Sequence, residues 1–387
     1  MSGVESASAF RAPVVGMVGA GQLARMTHQA SVDLGVDLVV LAKSPEDPAV
    51  LAGARALYGR ADDPEALARL AGLADVVTFD HEQVPNDLVV SLEESGVAVA
   101  PGSRALNAAQ DKLAARRLFS EAGLDVPAFA QVGPDARSDI ESFAAAHGWP
   151  VVLKARTGGY DGRGVAFVAE PSGVDAALSS LRGADLLVEA HVELACEVAV
   201  LAARSTNGEY AAYPTVATLQ EDGICTQLSM PASLDSEVRL RAHDLARSVA
   251  ELVGATGIIA VELFVEASGT VLINEIAVRP HNSGHATIEG CVTSQFHNHL
   301  RAVLGWPLGD TSLVKGAAAM VNVLGGADGV DPRSRLVDAL AVRGASVHLY
   351  AKEALPGRKV GHVTALGDDP SEAVATARRC ASILGGA

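Results

Sequence analysis

Between residues 14 and 110, short apolar runs alternate with amphipathic stretches, and this alternation narrows the fold more than any other feature. VVGMVG reads as a buried strand, followed by a helix QLARMTHQASVDLG that stops at Gly35. VDLVVLA is the next strand, PEALARLAGL a helix, ADVVTFD a strand, DLVVSLEESG a helix and VAVAPG a further strand. Strands joined through helices pair in parallel, so this segment predicts a doubly wound parallel α/β sheet. Residues from about 110 to 150 turn helical, through QDKLAARRLFSEAG and SDIESFAAAHG.

After Pro150 the alternation ends. VVLKA and GVAFVA are strands flanking a glycine-rich loop, and the turn pairs Asn207-Gly208, Asp222-Gly223 and Ser268-Gly269 mark antiparallel hairpins further on. One long helix spans about 236–253 and is ended by Gly254, with Val238, Leu245, Val249, Leu252 and Val253 on one face. From about 315, KGAAAMVNVLG, ASVHLYAKE and KVGHVTALG predict strands of a small final domain, closed by the helix SEAVATARRCASILGG. A chain of 387 residues with 49% hydrophobic content has material for two or three cores.

Thirty basic against 46 acidic residues give a net charge of −16, which argues against nucleic acid or an anionic membrane as partner. A phosphate-bearing ligand must then be held by a few local cations and backbone N–H groups. Cys196, Cys225, Cys291 and Cys380 are scattered without a CxxC pair, the pattern of reduced core residues in a reducing compartment. No apolar run approaches the ~20 residues of a membrane span. The start MSGVESASAFRAP lacks the layout of a signal peptide, so the expected location is the cytoplasm.

Four motifs carry chemistry. Gly19-Ala20-Gly21-Gln22-Leu23-Ala24 fits G-x-G-x-x-A between a strand and a helix. It is either an anion site or a tight turn that binds nothing. The second strand ends Leu41-Ala42-Lys43-Ser44 without the acid that holds a dinucleotide's ribose, so an NAD-dependent oxidoreductase is the weaker alternative. The second motif, LKARTGGYDGRGVAFV (153–168), has four glycines where a hairpin needs one or two, and suits a loop that folds over phosphates. Lys154 stands at its base. In the third, VELFVEASGTVLINEI, a two-residue turn at Ser268-Gly269 places Glu262 opposite Glu275, with Phe264 and Ile273 on the same face. Facing carboxylates repel unless a divalent cation lies between them, and oxygen-only ligands suit Mg²⁺. The fourth, Arg279-Pro280-His281-Asn282-Ser283-Gly284-His285, follows at once and would lie beside the phosphates. Glu189 and Glu197 interrupt apolar strands and are either paired, ligand-bound or edge-strand surface groups, while Lys352, Arg358 and Lys359 form a late basic cluster.

Together GAGQLARM, QDKLAARRLF, KARTGGYDGRG, NEIAVRPHNSGH, TSQFHNHLRAVLG and GRKVGHVT resemble the N5-carboxyaminoimidazole ribonucleotide synthetases, ATP-grasp ligases of purine biosynthesis, from about residue 14 onward. The resemblance implies an ATP-grasp fold divided at about 12–110, 111–306 and 307–387, the middle part comprising a lid (about 111–187) and a Mg²⁺- and ATP-binding part (about 188–306). It implies ATP, Mg²⁺, bicarbonate and 5-aminoimidazole ribonucleotide as ligands, reaction through carboxyphosphate, and a homodimer. Lys112, Lys154, Gly159, Glu189, Ala190, Val192, Glu197 and Asn274 would meet ATP; Glu262 and Glu275 would bind Mg²⁺. Arg279, His281 and Asn282 would surround bicarbonate and carboxyphosphate. Gly21, Gln22, Glu82, Tyr160, Asp161, Arg163, Lys352, Arg358 and Lys359 would hold the aminoimidazole nucleotide. The sequence departs from the family's usual pattern at Ala24, at Asp80-His81-Glu82-Gln83, at Ala217 and at Val278. The nearest rival within the superfamily is a formate-using glycinamide ribonucleotide transformylase.

Overall fold

The computed structural model describes residues 11–159, 164–221, 223–326 and 329–385, and among these the strands form three sheets. The first contains β1 (Val14–Val18), β2 (Asp37–Ala42), β3 (Arg55–Tyr58) and β4 (Val76–Phe79), all parallel in the order β3-β2-β1-β4. The helix Gln22–Leu34 ends at Gly35, whose φ of 64° is the left-handed conformation glycine adopts freely. VAVAPG contributes only a lone bridge between Val77 and Val99, because the chain runs into Pro101, which has no N–H to extend a ladder. The strand β3, short and at the edge, has no apolar alternation to announce it.

One face of this sheet packs on Leu67, Leu70, Val89 and Leu106; the other packs on Met26 and Ala30 together with Phe296, Leu300 and Val303 of the helix Gln295–Val303. The first sheet is thus finished by a helix from the middle of the chain.

The second sheet, β5 (Phe129–Gln131), β6 (Val151–Ala155), β7 (Val165–Val168) and β8 (Leu186–Ala190), is antiparallel in the order β5-β8-β6-β7. Its own core gathers Ile140, Phe143, Leu153, Val174 and Val188. The third sheet holds β9 (Leu194–Arg204), β10 (Tyr210–Ala212), β11 (Val216–Glu221), β12 (Ile224–Met230), β13 (Gly257–Glu266), β14 (Val271–Ala277), β15 (Ala317–Leu324), β16 (Ala345–Leu349) and β17 (Lys359–Gly367). Its order is β14-β13-β9-β11-β12-β15-β17-β16, with β10 on β9, and every pairing is antiparallel. The three strands after residue 315 therefore extend the middle segment's sheet through β12 and β15, Leu228 facing Met320. The helix Ser236–Val253 lays Leu245, Val249 and Val253 into the core shared with β9 and β13, and Gly254 caps it at φ 68°. Cys291 and Cys380 are buried as expected; Cys196 and Cys225 are only half-buried, Cys225 on the wall of the cleft described next.

Candidate active site

A cleft of about 1240 Å³ lies where the three sheets meet, and most of the residues singled out above line it. Its floor is the hairpin β13–β14. Glu262 and Glu275 are direct cross-strand partners, but the register reaches that pairing by another route than a two-residue turn. Near the turn Leu263 faces Ile273 and Phe264 faces Leu272, one residue off the expected register, so Phe264 and Ile273 are not partners. A β-bulge between Glu262 and Leu263 restores the alignment, leaving Asn274 as the extra residue. Asn274 and Glu275, adjacent in sequence, consequently both line the cleft.

The electrostatics of the floor are those of a cation site. Removal from water, then the neighbouring carboxylates Glu275 and Glu197, push the Glu262 carboxyl up to about 7. Burial likewise raises Glu197, against the pull of Lys154. Lys112, at the start of the helix Lys112–Glu121, donates from Nζ to Glu275 Oε1 at 2.5 Å. Asp111 caps that helix, accepting from Ala114 N at 3.0 Å, and is gripped by Arg156 at 2.6 Å. No group of three or more His, Cys, Asp or Glu side chains converges as a metal cage among the described residues. Two carboxylates on adjacent strands are the donor set of an ion that keeps water and phosphate oxygens, which fits Mg²⁺.

Above the floor, Lys154 on β6 donates to Glu189 Oε2 at 2.6 Å and to Asn274 Oδ1 at 3.2 Å. Glu189 is therefore paired, its other oxygen accepting from Arg116 Nε at 2.6 Å, and all three side chains are buried. Burial opposes the charge on Glu189, yet Arg116 and Lys154 together hold its carboxyl below the usual range. Arg116 has no role assigned from the sequence; its signals are its place in the run QDKLAARRLF and its spacing of four residues from Lys112, on the same helical face. Val165 and Phe167, exposed on β7, face the cleft with Gly159, Ala190 and Val192. Tyr160, Asp161 and Arg163 lie outside the described residues.

The segment after β14 closes one wall. Arg279 Nε donates to Glu82 Oε2 at 2.7 Å. Gln295, given no role in the sequence although it lies in the run TSQFHNHLRAVLG, clamps the backbone of His281: it accepts from His281 N at 2.9 Å and donates to His281 O at 2.7 Å. The His281 ring bonds Ser283 Oγ at 2.8 Å, and burial, then Arg279 and Lys359, hold its pKa down at about 3, so it is neutral near pH 7. Its Nε2 lies 3.7 Å from Glu262 Oε1, and Asn282 follows on the same wall. His285 is buried behind, stacked on His362 with ring centroids 4.8 Å apart.

At the far end, the first glycine turn is occupied by the protein itself. Gly21 N donates to Asp80 Oδ2 at 2.6 Å, so the anion at this helix N-terminus is an internal carboxylate. Gln22 accepts from Lys352 Nζ, which joins the late basic cluster to the first domain. Lys359 lines the cleft; Arg358 is exposed on the turn before β17 and its side chain is not part of the lining.

A cleft between a small antiparallel lid and a larger sheet, with lysines from the lid side and paired acids on the floor, defines an ATP-grasp protein. Residues 117–296 match the ATP-grasp domain, 13–110 the ribonucleotide synthetase preATP-grasp domain and 318–376 the phosphoribosylaminoimidazole carboxylase C-terminal domain. The chain belongs to the N5-carboxyaminoimidazole ribonucleotide synthase family. It is 47% identical over 373 residues to the N5-carboxyaminoimidazole ribonucleotide synthase of Mycobacterium tuberculosis, covering 94% of this chain and 86% of the relative. A structure of carboxyaminoimidazole ribonucleotide synthase from Aspergillus clavatus complexed with ATP superposes with a TM-score of 0.90 at 32% identity, covering 97% of this chain and 98% of that one. A second from the same organism, in complex with ADP and 5-aminoimidazole ribonucleotide, gives a TM-score of 0.90 at 30% identity, covering 97% and 99%.

Proposed function

We propose that the chain is the ligase that uses ATP and bicarbonate to carboxylate 5-aminoimidazole ribonucleotide, giving N5-carboxyaminoimidazole ribonucleotide, ADP and phosphate. The observation that carries this reading is the convergence in one cleft of the Glu262–Glu275 pair, the buried Lys154 and the Arg279–Asn282 wall.

Lys154 spends one Nζ hydrogen on Glu189 and one on Asn274, and directs the third toward a phosphate oxygen. Lys112 adds a second cation above Glu275. Glu189, Ala190, Val192, Gly159 and Glu197 border the nucleoside, and Asn274 approaches the phosphates beside Lys154. Glu262 and Glu275 would hold Mg²⁺, which when bound neutralises charge on the phosphoryl group being transferred. Bicarbonate oxygen attacks the γ-phosphorus, ADP leaves, and the product is carboxyphosphate. Arg279, fixed by Glu82, offers the anion a charged donor, while neutral His281 and Asn282 orient it through hydrogen bonds. The amine of the nucleotide then takes the carboxyl group and phosphate departs. Gly158, Gly159 and the apolar Val165 and Phe167 line the cleft, and excluding water there would spare carboxyphosphate from hydrolysis.

The acceptor nucleotide sits at the first-domain end. Lys352, Arg358 and Lys359 would receive its 5′-phosphate, with Gly21 and Gln22 near it, and Glu82, Tyr160, Asp161 and Arg163 would meet the same nucleotide. The division at about residues 110 and 306, a cytoplasmic location and a homodimer belong to the same proposal. The test is ADP release from ATP, Mg²⁺ and bicarbonate, with and without 5-aminoimidazole ribonucleotide. Stimulation by that nucleotide is expected. Its absence, or stimulation instead by glycinamide ribonucleotide with formate, overturns the assignment.

A further inference from the structure

Arg116 does not itself line the cleft, yet it is 2% exposed and bound to Glu189, a side chain that does line it. It projects from the helix Lys112–Glu121 on the face that also carries Lys112. Its Nε meets Glu189 Oε1 at 2.6 Å, and Glu189 Oε2 meets Lys154 Nζ at 2.6 Å. Replacing such a buried ionic cluster by apolar groups is often neutral or favourable for stability, so stability alone does not account for it. Its charge sum does have a consequence at the cleft. Glu189 with Lys154 alone would be a neutral pair, its lysine bound up by its own partner. With Arg116 the cluster carries a net positive charge, and Glu189 is shared between two cations.

We propose that Arg116 is a positioning residue for nucleotide binding: by taking half of Glu189, it fixes Lys154 toward the cleft and leaves the lysine's charge uncompensated there for a polyphosphate. This rests on Lys154 meeting the nucleotide's phosphates, as proposed above. Arg116 itself contacts neither nucleotide nor metal. The effect should therefore follow the phosphates of a ligand and ignore its nucleoside.

Calorimetric binding of ADP and of adenosine to the full chain tests this, with Lys154→Met as the reference variant. In Arg116→Met, ADP affinity falls about 10-fold or more, the scale of one charge-assisted contact, while adenosine affinity is unchanged. The alkaline limit of ADP binding also moves to higher pH: burial chiefly lowers the Lys154 pKa, Glu189 and Glu197 oppose it, Arg116 and Lys112 add to it, and in the variant the Arg116 share is gone. Arg116→Lys, keeping the charge but not the forked donor, falls between parent and Met variant. Parental ADP affinity in Arg116→Met with a weakened Lys154→Met overturns the inference. So does an equal loss for ADP and adenosine, which would mark a general collapse of the site. If Lys154→Met itself binds ADP normally, the reading of the cleft is what fails. Should Arg116→Met not fold, the double variant Arg116→Met, Glu189→Gln removes both buried charges and leaves the Lys154 charge uncompensated, so ADP affinity stays near the parental value; a loss as large as that of Lys154→Met, with adenosine affinity unchanged, overturns the proposal equally.

Discussion

Glu262→Gln should stabilise the protein while destroying its activity, and the size of the gain follows from the cleft floor. The folded chain holds the Glu262 carboxyl at about 7, against an ordinary value of 4.5. An acid whose folded pKa is raised binds its proton more tightly folded than unfolded. Stability contributed by the neutral form is therefore lost as pH climbs from 4.5 toward 7, and the loss is complete above that. The interval corresponds to about 3 kcal/mol. The side chain keeps 29% of its surface accessible, and solvent screening trims the figure to about 2 kcal/mol. Glutamine preserves the shape and a polar contact toward His281 but carries no charge to penalise. Urea denaturation of parent and variant, without Mg²⁺, at half-unit steps from pH 4 to pH 8 checks this. The curves should nearly coincide at the acid end and separate by about 2 kcal/mol at the alkaline end, the variant being the more stable. ADP formation by the same variant should drop about 100-fold or more, the scale of one lost electrostatic contact to a transferring group. A variant less stable than the parent at pH 8, or a gap that does not change with pH, refutes the electrostatic account of the paired acids.

Other perturbations probe the remaining walls. Glu275→Gln removes the second acid and the acceptor of Lys112; turnover should vanish with the circular dichroism spectrum unaltered, and activity retained at ordinary Mg²⁺ would count against the metal assignment. Lys352→Ala should raise KM for the aminoimidazole nucleotide about 10-fold or more and leave KM for ATP nearly unchanged, since a charge-assisted contact is lost at the first-domain end only. Gly19→Ala should cost roughly 3 kcal/mol or more, because φ is 102° and the new Cβ would lie 1.7 Å from Asp80 Oδ1. Gly35→Ala, at φ 64° with nothing within 4 Å, should cost about 1 kcal/mol, and equal losses in thermal unfolding of the two variants would dismiss the Asp80 contact.

Much of this site was legible because its signals are local. The strand–helix alternation, the glycine-rich loop and the RPHNSGH run are each contiguous, and turn chemistry at Asn207-Gly208 and Gly254 needs no distant partner. The Glu262–Glu275 pairing was also readable, though its cause was not. A turn one residue longer than assumed and a bulge at Asn274 offset one another, and a bulge has no sequence mark as plain as a turn's. Gln295 and Arg116 escaped notice because their partners, His281 and Glu189, are brought to them only by the packed fold.

Sequence alone settled which of the longer stretches of this chain become strands, helices and charged loops, β3 and VAVAPG apart, since those depend on side-chain period and on residues a few places apart. Tertiary structure decided where the strands join. The last three extend the middle sheet, a helix from the middle segment covers the first sheet, and Asp80 fills the glycine turn that reads in the sequence as an anion site. Such outcomes rest on which apolar faces meet and which buried charges find opposite partners, and neither is determined until distant segments share one core.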